Sequence, residues 1–256
     1  MMRYDVHIHT EYCGHAPGMT VEAICRRVDE LRLDCFAITD HIYDDASASN
    51  IDKIRDDFAK VSCLVPVLIG AEVDVDSDFI DGRLASELID GLDYLIAGFH
   101  YVPTKGNYPW KPEHCTLDEP TFMRLWESTL LGVVSNPRIH TLAHPGRLFA
   151  AALGTKGNWA AAMEVFKKAA KRSSQNRIAW EINELTGERL KPEFVAKWHE
   201  IYEIALDAGV KLIFGSDSHD IDSIARADFS EMILTRLPAG SLSTPQDILE
   251  WKKRGK

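Results

Sequence analysis

Seven short runs rich in β-branched and aromatic residues alternate with helix-patterned stretches along nearly the whole chain, and this alternation decides the class of fold. The runs cover residues 4–9, 35–39, 65–75, 94–99, 139–143, 177–182 and 211–215. Between them lie helical patterns. Residues 21–33 place Val21, Ile24, Cys25, Val28 and Leu31 on one face, with Thr20 as the capping residue. Further helices are expected at about 51–63, 83–89, 120–134, from Asn158 to 171, and 192–208. More helix follows the seventh run, and Thr244-Pro245-Gln246-Asp247 reads as the N-cap, first-turn proline and capping acid of a final helix. Alternating βα units imply a parallel sheet. Seven of them, with no linker, internal repeat or low-complexity stretch, predict one closed α/β barrel formed by a single domain over residues 1–256.

The first run carries Asp5-Val6-His7-Ile8-His9-Thr10. On a strand, residues two apart share a face, so His7 and His9 project side by side about 6.6 Å apart, close enough to share a metal ion. Val6 and Ile8 are then expected to face the opposite way, toward packing. The other strand ends carry the same kinds of side chain. Thr39-Asp40-His41 ends the second run and Glu72 the third. His100 ends the fourth, His144 the fifth, and Asp217 and His219 follow the seventh; His15 comes shortly after the first. In a parallel barrel these ends converge on one face, where active sites sit. Each residue alone reads most simply as structural. Together they call for cations, because a cluster of this many imidazoles and carboxylates needs cations to hold it.

Asp5, Asp40, Asp74, Asp76 and Asp220 are candidates for orienting the imidazoles from behind, with Asp40 equally readable as a turn residue. Glu181 and Asn183 end the sixth run and are candidates for contact with substrate. Arg147, just past His144, either clamps a phosphate oxygen or is a surface arginine in a turn. His114 and the mid-helix His199 read as surface or packing residues. His140 lies four residues before His144 on the same strand, roughly 13 Å away, too far to serve the same ion. The longest irregular stretch, residues 101–119, contains Tyr108, Pro109, Trp110, Lys111 and Pro112, and is either a substrate lid or an insertion packed on the rim.

The formal net charge of −10 speaks against a partner as long and anionic as nucleic acid. The five cysteines, an odd number with no Cys-x-x-Cys pair, predict reduced thiols in a cytoplasmic protein. Residues 1–10 lack a secretory signal pattern, and no apolar run approaches a membrane span.

The set His7-Ile8-His9, Thr39-Asp40-His41, Glu72, His100, His144-Pro145 and Asp217-Ser218-His219 resembles the PHP (polymerase and histidinol phosphatase) family, from residue 5 to about 225. The resemblance implies a distorted TIM-like (β/α)7 barrel with three divalent metal ions, zinc, manganese or iron. It implies His7, His9, Glu72 and Asp217 around the first, Glu72, His100 and His144 around the second, and His15, His41 and His219 around the third. Cys13-Gly14-His15 is similar to the start of histidinol-phosphatase-type members. The expected chemistry is hydrolysis of a small phosphomonoester by metal-bound hydroxide, with Glu72, Asp217, His219 and Arg147 in catalytic roles. L-histidinol phosphate, and with it histidine biosynthesis, is the best single substrate assignment. The alternatives are a nucleotide or oligonucleotide 3′-phosphoesterase of the same family, and a metal-binding accessory module without turnover. An amidohydrolase-type site would be expected to carry a lysine where Glu72 stands, and TatD-like nucleases do not need His15, His41 and His219 together.

Overall fold

In the computed structural model, which describes residues 2–102, 115–154 and 157–254, the chain opens with β1 (Tyr4–Ile8) and α1 (Val21–Leu31). Then come β2 (Cys35–Ile38), β3 (His41–Ile42), α2 (Asp45–Ala48), α3 (Asn50–Phe58), β4 (Val67–Asp74) and β5 (Tyr94–Gly98). The middle of the chain forms α4 (Glu119–Val133), β6 (Thr141–Leu142), α5 (Arg147–Leu153), α6 (Trp159–Asn176) and β7 (Ala179–Asn183). The last part forms α7 (Glu184–Arg189), α8 (Pro192–Val195), α9 (His199–Asp207), β8 (Leu212–Gly215), α10 (Asp228–Leu234) and α11 (Pro245–Lys253). Three predicted caps form as read. The side chains of Thr20, Asn158 and Thr244 accept from the N–H groups of Ala23, Ala161 and Asp247.

The strands run in parallel in the order β1-β2-β4-β5-β6-β7-β8, with the short β3 paired to the upper half of β4. A parallel bridge between Ile8 and Ser218 brings the chain after β8 back to β1, so the seven principal strands form a nearly closed barrel. There His9 N–H donates to the Ser218 carbonyl (3.1 Å) and Ser218 N–H to the His7 carbonyl (3.2 Å). The expected barrel of parallel strands is therefore found. No helix among the described residues is long and apolar enough to cross a membrane.

Paired residues of a sheet share a face, so the register sorts side chains into inside and outside. Tyr94, Ile96, Ala143, Ala179 and Ile213 fill the lower barrel with Tyr4, Val6 and Ala37, and Ile248 of α11 joins this cluster. Ile8, Ile38, Ala71, Val73, Leu95 and Ile182 instead join the larger cluster with the surrounding helices. Val6 and Ile8 therefore do not share a face as the sequence alone suggests. The register of β1 against β2 slips between Asp5 and Ile8. Such a bulge re-aims the strand; Val6 packs inward below His7, and His9 still reaches the mouth.

Two helical expectations fail. Residues 83–89 form no helix. Gly82 has a left-handed backbone (φ +73°), and the chain doubles back so that Leu84 bridges Val75 antiparallel. Asp76 N–H donates to Arg83 (2.9 Å) and Ala85 N–H to Asp74 (2.8 Å), satisfying the backbone without a helical turn. The helix expected over 192–208 is split into α8 and α9, with the fully buried Trp198 at the break beside Phe194 and Trp159. β3, α2, α5 and α7 were not foreseen. Of the long stretch over 101–119, residues 103–114, including Tyr108, Trp110 and His114, lie outside the described residues.

Candidate metal centre

The strand ends meet at Glu72, which β4 points inward above the apolar plug and which is 0% exposed. Its two oxygens serve different neighbours. Oε1 lies 2.9 Å from His144 Nε2 and 3.3 Å from His100 Nε2. Oε2 lies 3.1 Å from His7 Nε2, 3.1 Å from His41 Nδ1 and 3.7 Å from His9 Nε2. Asp217, after β8, approaches from the other side, with Oδ1 3.3 Å from His9 Nε2 and 3.7 Å from His7 Nε2.

Three groupings result. His7, His9 and Asp217 offer donor atoms within 4.8 Å of one another, and Glu72 adjoins them. His100 and His144 close on Glu72, with their Nε2 atoms 3.1 Å apart. His15, His41 and His219 form the outermost group, with His15 Nε2 2.9 Å from His219 Nε2. All nine residues that the sequence singled out as metal ligands are thus brought together at one end of the barrel.

Backbone geometry makes room for this convergence. An ideal Cβ on Gly98 would stand 2.5 Å from Glu72 Oε1 and 2.6 Å from His100 Cε1. One on Gly215 would stand 2.0 Å from Glu181 Oε1. His144 (φ +31°) and Asp217 (φ +58°) sit in left-handed backbone, which costs a non-glycine residue roughly 1–3 kcal/mol and tends to persist at functional sites.

The second layer fixes which ring nitrogens face the centre. Carboxylates and carbonyls only accept, so a ring nitrogen bonded to one carries a proton, and a neutral ring then keeps its lone pair on the other nitrogen. His7 Nδ1 donates to Glu181 (2.6 Å) and His100 Nδ1 to Asp74 (3.1 Å). His15 Nδ1 donates to the Cys13 carbonyl (3.0 Å) and His219 Nδ1 to the Asp217 carbonyl (2.9 Å). The Nε2 lone pairs of His15 and His219 therefore face each other, and the Nε2 of His7 faces two carboxylates. Neither ring nitrogen of the buried His9 has a hydrogen-bond partner among the described residues. Facing lone pairs, an orphaned imidazole and clustered carboxylates are what divalent cations resolve, so the donor set fits metal ions.

The proton affinities carry the same imprint. Burial disfavours a charge on His7, but Glu181, Asp217 and Glu72 outweigh it and hold its pKa well above the ordinary value. Burial and the nearby His41 push His9 well below it. Glu72 is held well below the usual carboxylate range, against its burial, by His41, His7 and His100. His7 and Arg147 do the same for Asp217, again against burial. Against burial, Asp74 and Glu72 raise His100 to about 9, whereas burial and Arg147 lower His144 to about 3. Burial takes His219 down to about 4.

Several supporting residues differ from expectation. Glu181 is fully buried beneath the ligands, where it holds His7 and accepts from His144 N–H (2.8 Å), so it does not face substrate. Asn183 bridges Glu181 (3.0 Å) and Asp217 (3.2 Å) rather than lining the opening. Asp5 orients no imidazole; its carboxylate accepts from the backbone of His7, Ser216 and Ala225 and anchors the end of β8. Asp40 fastens the Thr10 amide and hydroxyl. Asp76 accepts from Asp78 N–H and Asp220 from Ser223 N–H, so both are turn residues. Arg147 is no surface residue. It is buried at the start of α5, with Nη1 2.6 Å from Asp217 Oδ2. His140 sits low in the barrel, accepting from Leu95 N–H and stacked on Tyr94, while His199 opens α9 instead of lying mid-helix.

A cleft of about 500 Å³ opens over the outer ligands. His15, His41, His100, Asp217 and His219 line it with Arg147, Tyr43, Glu188, Arg189 and Arg226. Tyr43 stacks on His41 (4.9 Å between ring centres), and Arg226 pairs with Glu188. None of Tyr43, Glu188, Arg189 and Arg226 was singled out from sequence. Asn183, the last residue of β7, caps α7 directly, and this is what carries Glu188 and Arg189 to the opening.

Comparison with known proteins agrees with this geometry. The model of the PHP domain family matches residues 5–185. A protein of Vibrio campbellii named "Probable phosphatase" is 26% identical over 246 residues, covering 92% of this chain and 85% of that protein. The "Probable phosphatase YcdX" of Escherichia coli is 25% identical over 224 residues, covering 86% and 79%. Among solved structures, the histidinol phosphate phosphatase of Lactococcus lactis, complexed with zinc, L-histidinol and phosphate, superposes with a TM-score of 0.61 at 17% identity. That match covers 91% of this chain and 93% of that one.

Proposed function

Because this chain belongs to the PHP domain family, we propose that it is a metal-dependent phosphatase that hydrolyses a small phosphomonoester, acting as one PHP-type domain over residues 1–256. The observation that carries this reading is the carboxylate of Glu72, whose two oxygens face two different imidazole sets and would therefore serve two cations at once. His7, His9, Glu72 and Asp217 would hold one divalent ion, Glu72, His100 and His144 a second, and His15, His41 and His219 a third. The donors, nitrogen and carboxylate oxygen together, suit zinc, manganese or iron. When bound, such ions supply an acidified water and neutralise the charge of a phosphoryl group.

The chain's own residues do the rest. Glu181 and Asp74 accept from Nδ1 of His7 and His100, so that Nε2 of each ring is the atom that faces the centre and would turn its lone pair to an ion once the second proton is displaced. Asp217, held at Oδ2 by Arg147 and Asn183, keeps Oδ1 directed at His9 and His7. Arg147 places a cationic guanidinium at the cleft wall beside the ligands, where a phosphoryl oxygen would lie. His219 lines the same wall at the opening. The buried floor keeps bulk water from the carboxylate side of the site.

L-histidinol phosphate is the proposed substrate, which would place the protein in histidine biosynthesis. The shared fold of the Lactococcus lactis enzyme and the Cys13-Gly14-His15 stretch support that choice. The five free cysteines support action in a reducing compartment such as the cytoplasm. Phosphate release should be measured with zinc- or manganese-loaded protein on L-histidinol phosphate beside a panel of nucleotide and sugar monophosphates. A marked preference for L-histidinol phosphate is expected. Nucleotide-biased or indiscriminate turnover would keep the phosphatase and discard the substrate. Absence of turnover on every ester, with metals bound, would leave a metal-binding accessory module.

A further inference from the structure

The outermost ligand group, His15, His41 and His219, consists of imidazoles only, with no carboxylate among the three. A thiol stands beside it. Cys13 Sγ lies within 4.8 Å of donor atoms of both His9 and His219. His9 is the side chain whose two ring nitrogens are buried without a hydrogen-bond partner among the described residues, and its ring stacks on His219 at 4.2 Å. The position of Cys13 is built. It ends the turn Glu11–Cys13, capped by Thr10, whose amide and hydroxyl are both fastened to Asp40. Gly14 follows in left-handed backbone (φ +86°), and the Cys13 carbonyl accepts the proton that fixes the His15 tautomer. One residue thus orients one ligand and offers another.

We propose that the Cys13 thiolate is a ligand at the outer metal position, joining His219 there, and that this sulfur makes the position selective for zinc-like ions over manganese. The inference rests on the metal-centre reading above. Ligation replaces the S–H bond with a metal–sulfur bond and releases the proton to solvent. It also supplies the negative charge that the three imidazoles lack, from a soft donor that suits zinc or cobalt and does not suit manganese.

Cobalt(II) loading tests this directly, with metal content measured on the same sample. The full-length protein should take up cobalt and show the near-ultraviolet charge-transfer band of a cobalt–thiolate bond. Cys13→Ser should lose the band and hold its outermost ion at least about tenfold more weakly, while Cys35→Ser, remote from the site, should keep both. On the unaltered chain, bound zinc should slow iodoacetamide labelling of Cys13, located by peptide mass mapping, by at least about tenfold, since the thiolate is the reactive form. Cobalt bound without the band, a band that survives Cys13→Ser, or labelling indifferent to zinc would each overturn the Cys13 assignment and leave the metal centre standing. Failure to bind cobalt or zinc at all would overturn both.

Discussion

At Gly98 and Gly215 a missing methyl group decides whether the ligands can converge. The Cβ of an alanine at 98 would stand 2.5 Å from Glu72 Oε1, too close for either atom to stay in place. Gly98→Ala should therefore weaken metal loading by roughly 10–100-fold, measured by elemental analysis after dialysis against limiting zinc. Glu72→Gln should lose metal and phosphate release together, because one amide nitrogen would then replace a donor oxygen; a Glu72→Gln protein with full activity would sink the bridging role. Glu181→Gln tests the layer behind. Its carboxylate holds the His7 Nδ1 proton at 2.6 Å and, without that charge, metal affinity should fall by roughly 10–100-fold while the far-ultraviolet circular dichroism is unchanged. Undiminished affinity in that variant would reduce Glu181 to a packing residue.

At the scale of the element, the barrel was legible because alternation of strand and helix patterns is a long-range regularity that no single side chain can blur. The caps were legible for a local reason, since Thr20, Asn158 and Thr244 each act within three residues of themselves. Asn158→Ala should accordingly cost about 1 kcal/mol of stability, seen as a lower thermal midpoint, with metal content unaltered because α6 lies outside the barrel. What was not legible depends on partners distant in the chain. The bulge that turns Val6 inward arises from pairing with β2. The turn that replaces a helix at 83–89 arises from Gly82 lying against the backbone of α4, where an ideal Cβ would be 2.2 Å from Val133 N. Arg189 and Arg226 reach the cleft only through the placement of α7 and of the segment before α10. Glu181 misled for a related reason: its place at a strand end was readable, but its depth below His7 was not.

The whole molecule gathers most of its buried imidazoles and carboxylates at one end of the barrel, and stability should report it. His144 and His219 have pKa values near 3 and 4 when folded, against 6.5 unperturbed, so between those limits the unfolded chain binds more protons than the folded one. Metal-free protein should lose stability as pH falls from about 6.5 toward 4. His100, raised to about 9, works in the other sense: its contribution is complete below 6.5 and is lost as pH rises through 9. Thermal midpoints of the metal-free protein across this range should therefore peak near neutrality, and a midpoint that climbs steadily toward acid would contradict the assignment of these environments. Binding that favours the folded state raises its stability by mass action, so loading should lift the midpoint at neutral pH. The most direct test of the central claim is a titration of metal-free protein with zinc or manganese, following phosphate release from a phosphomonoester against bound metal. Release is expected to be absent without metal, to grow as the three proposed ions are taken up, and to be abolished by chelator. Hydrolysis that is complete without bound metal, or that ignores its removal, would contradict that claim.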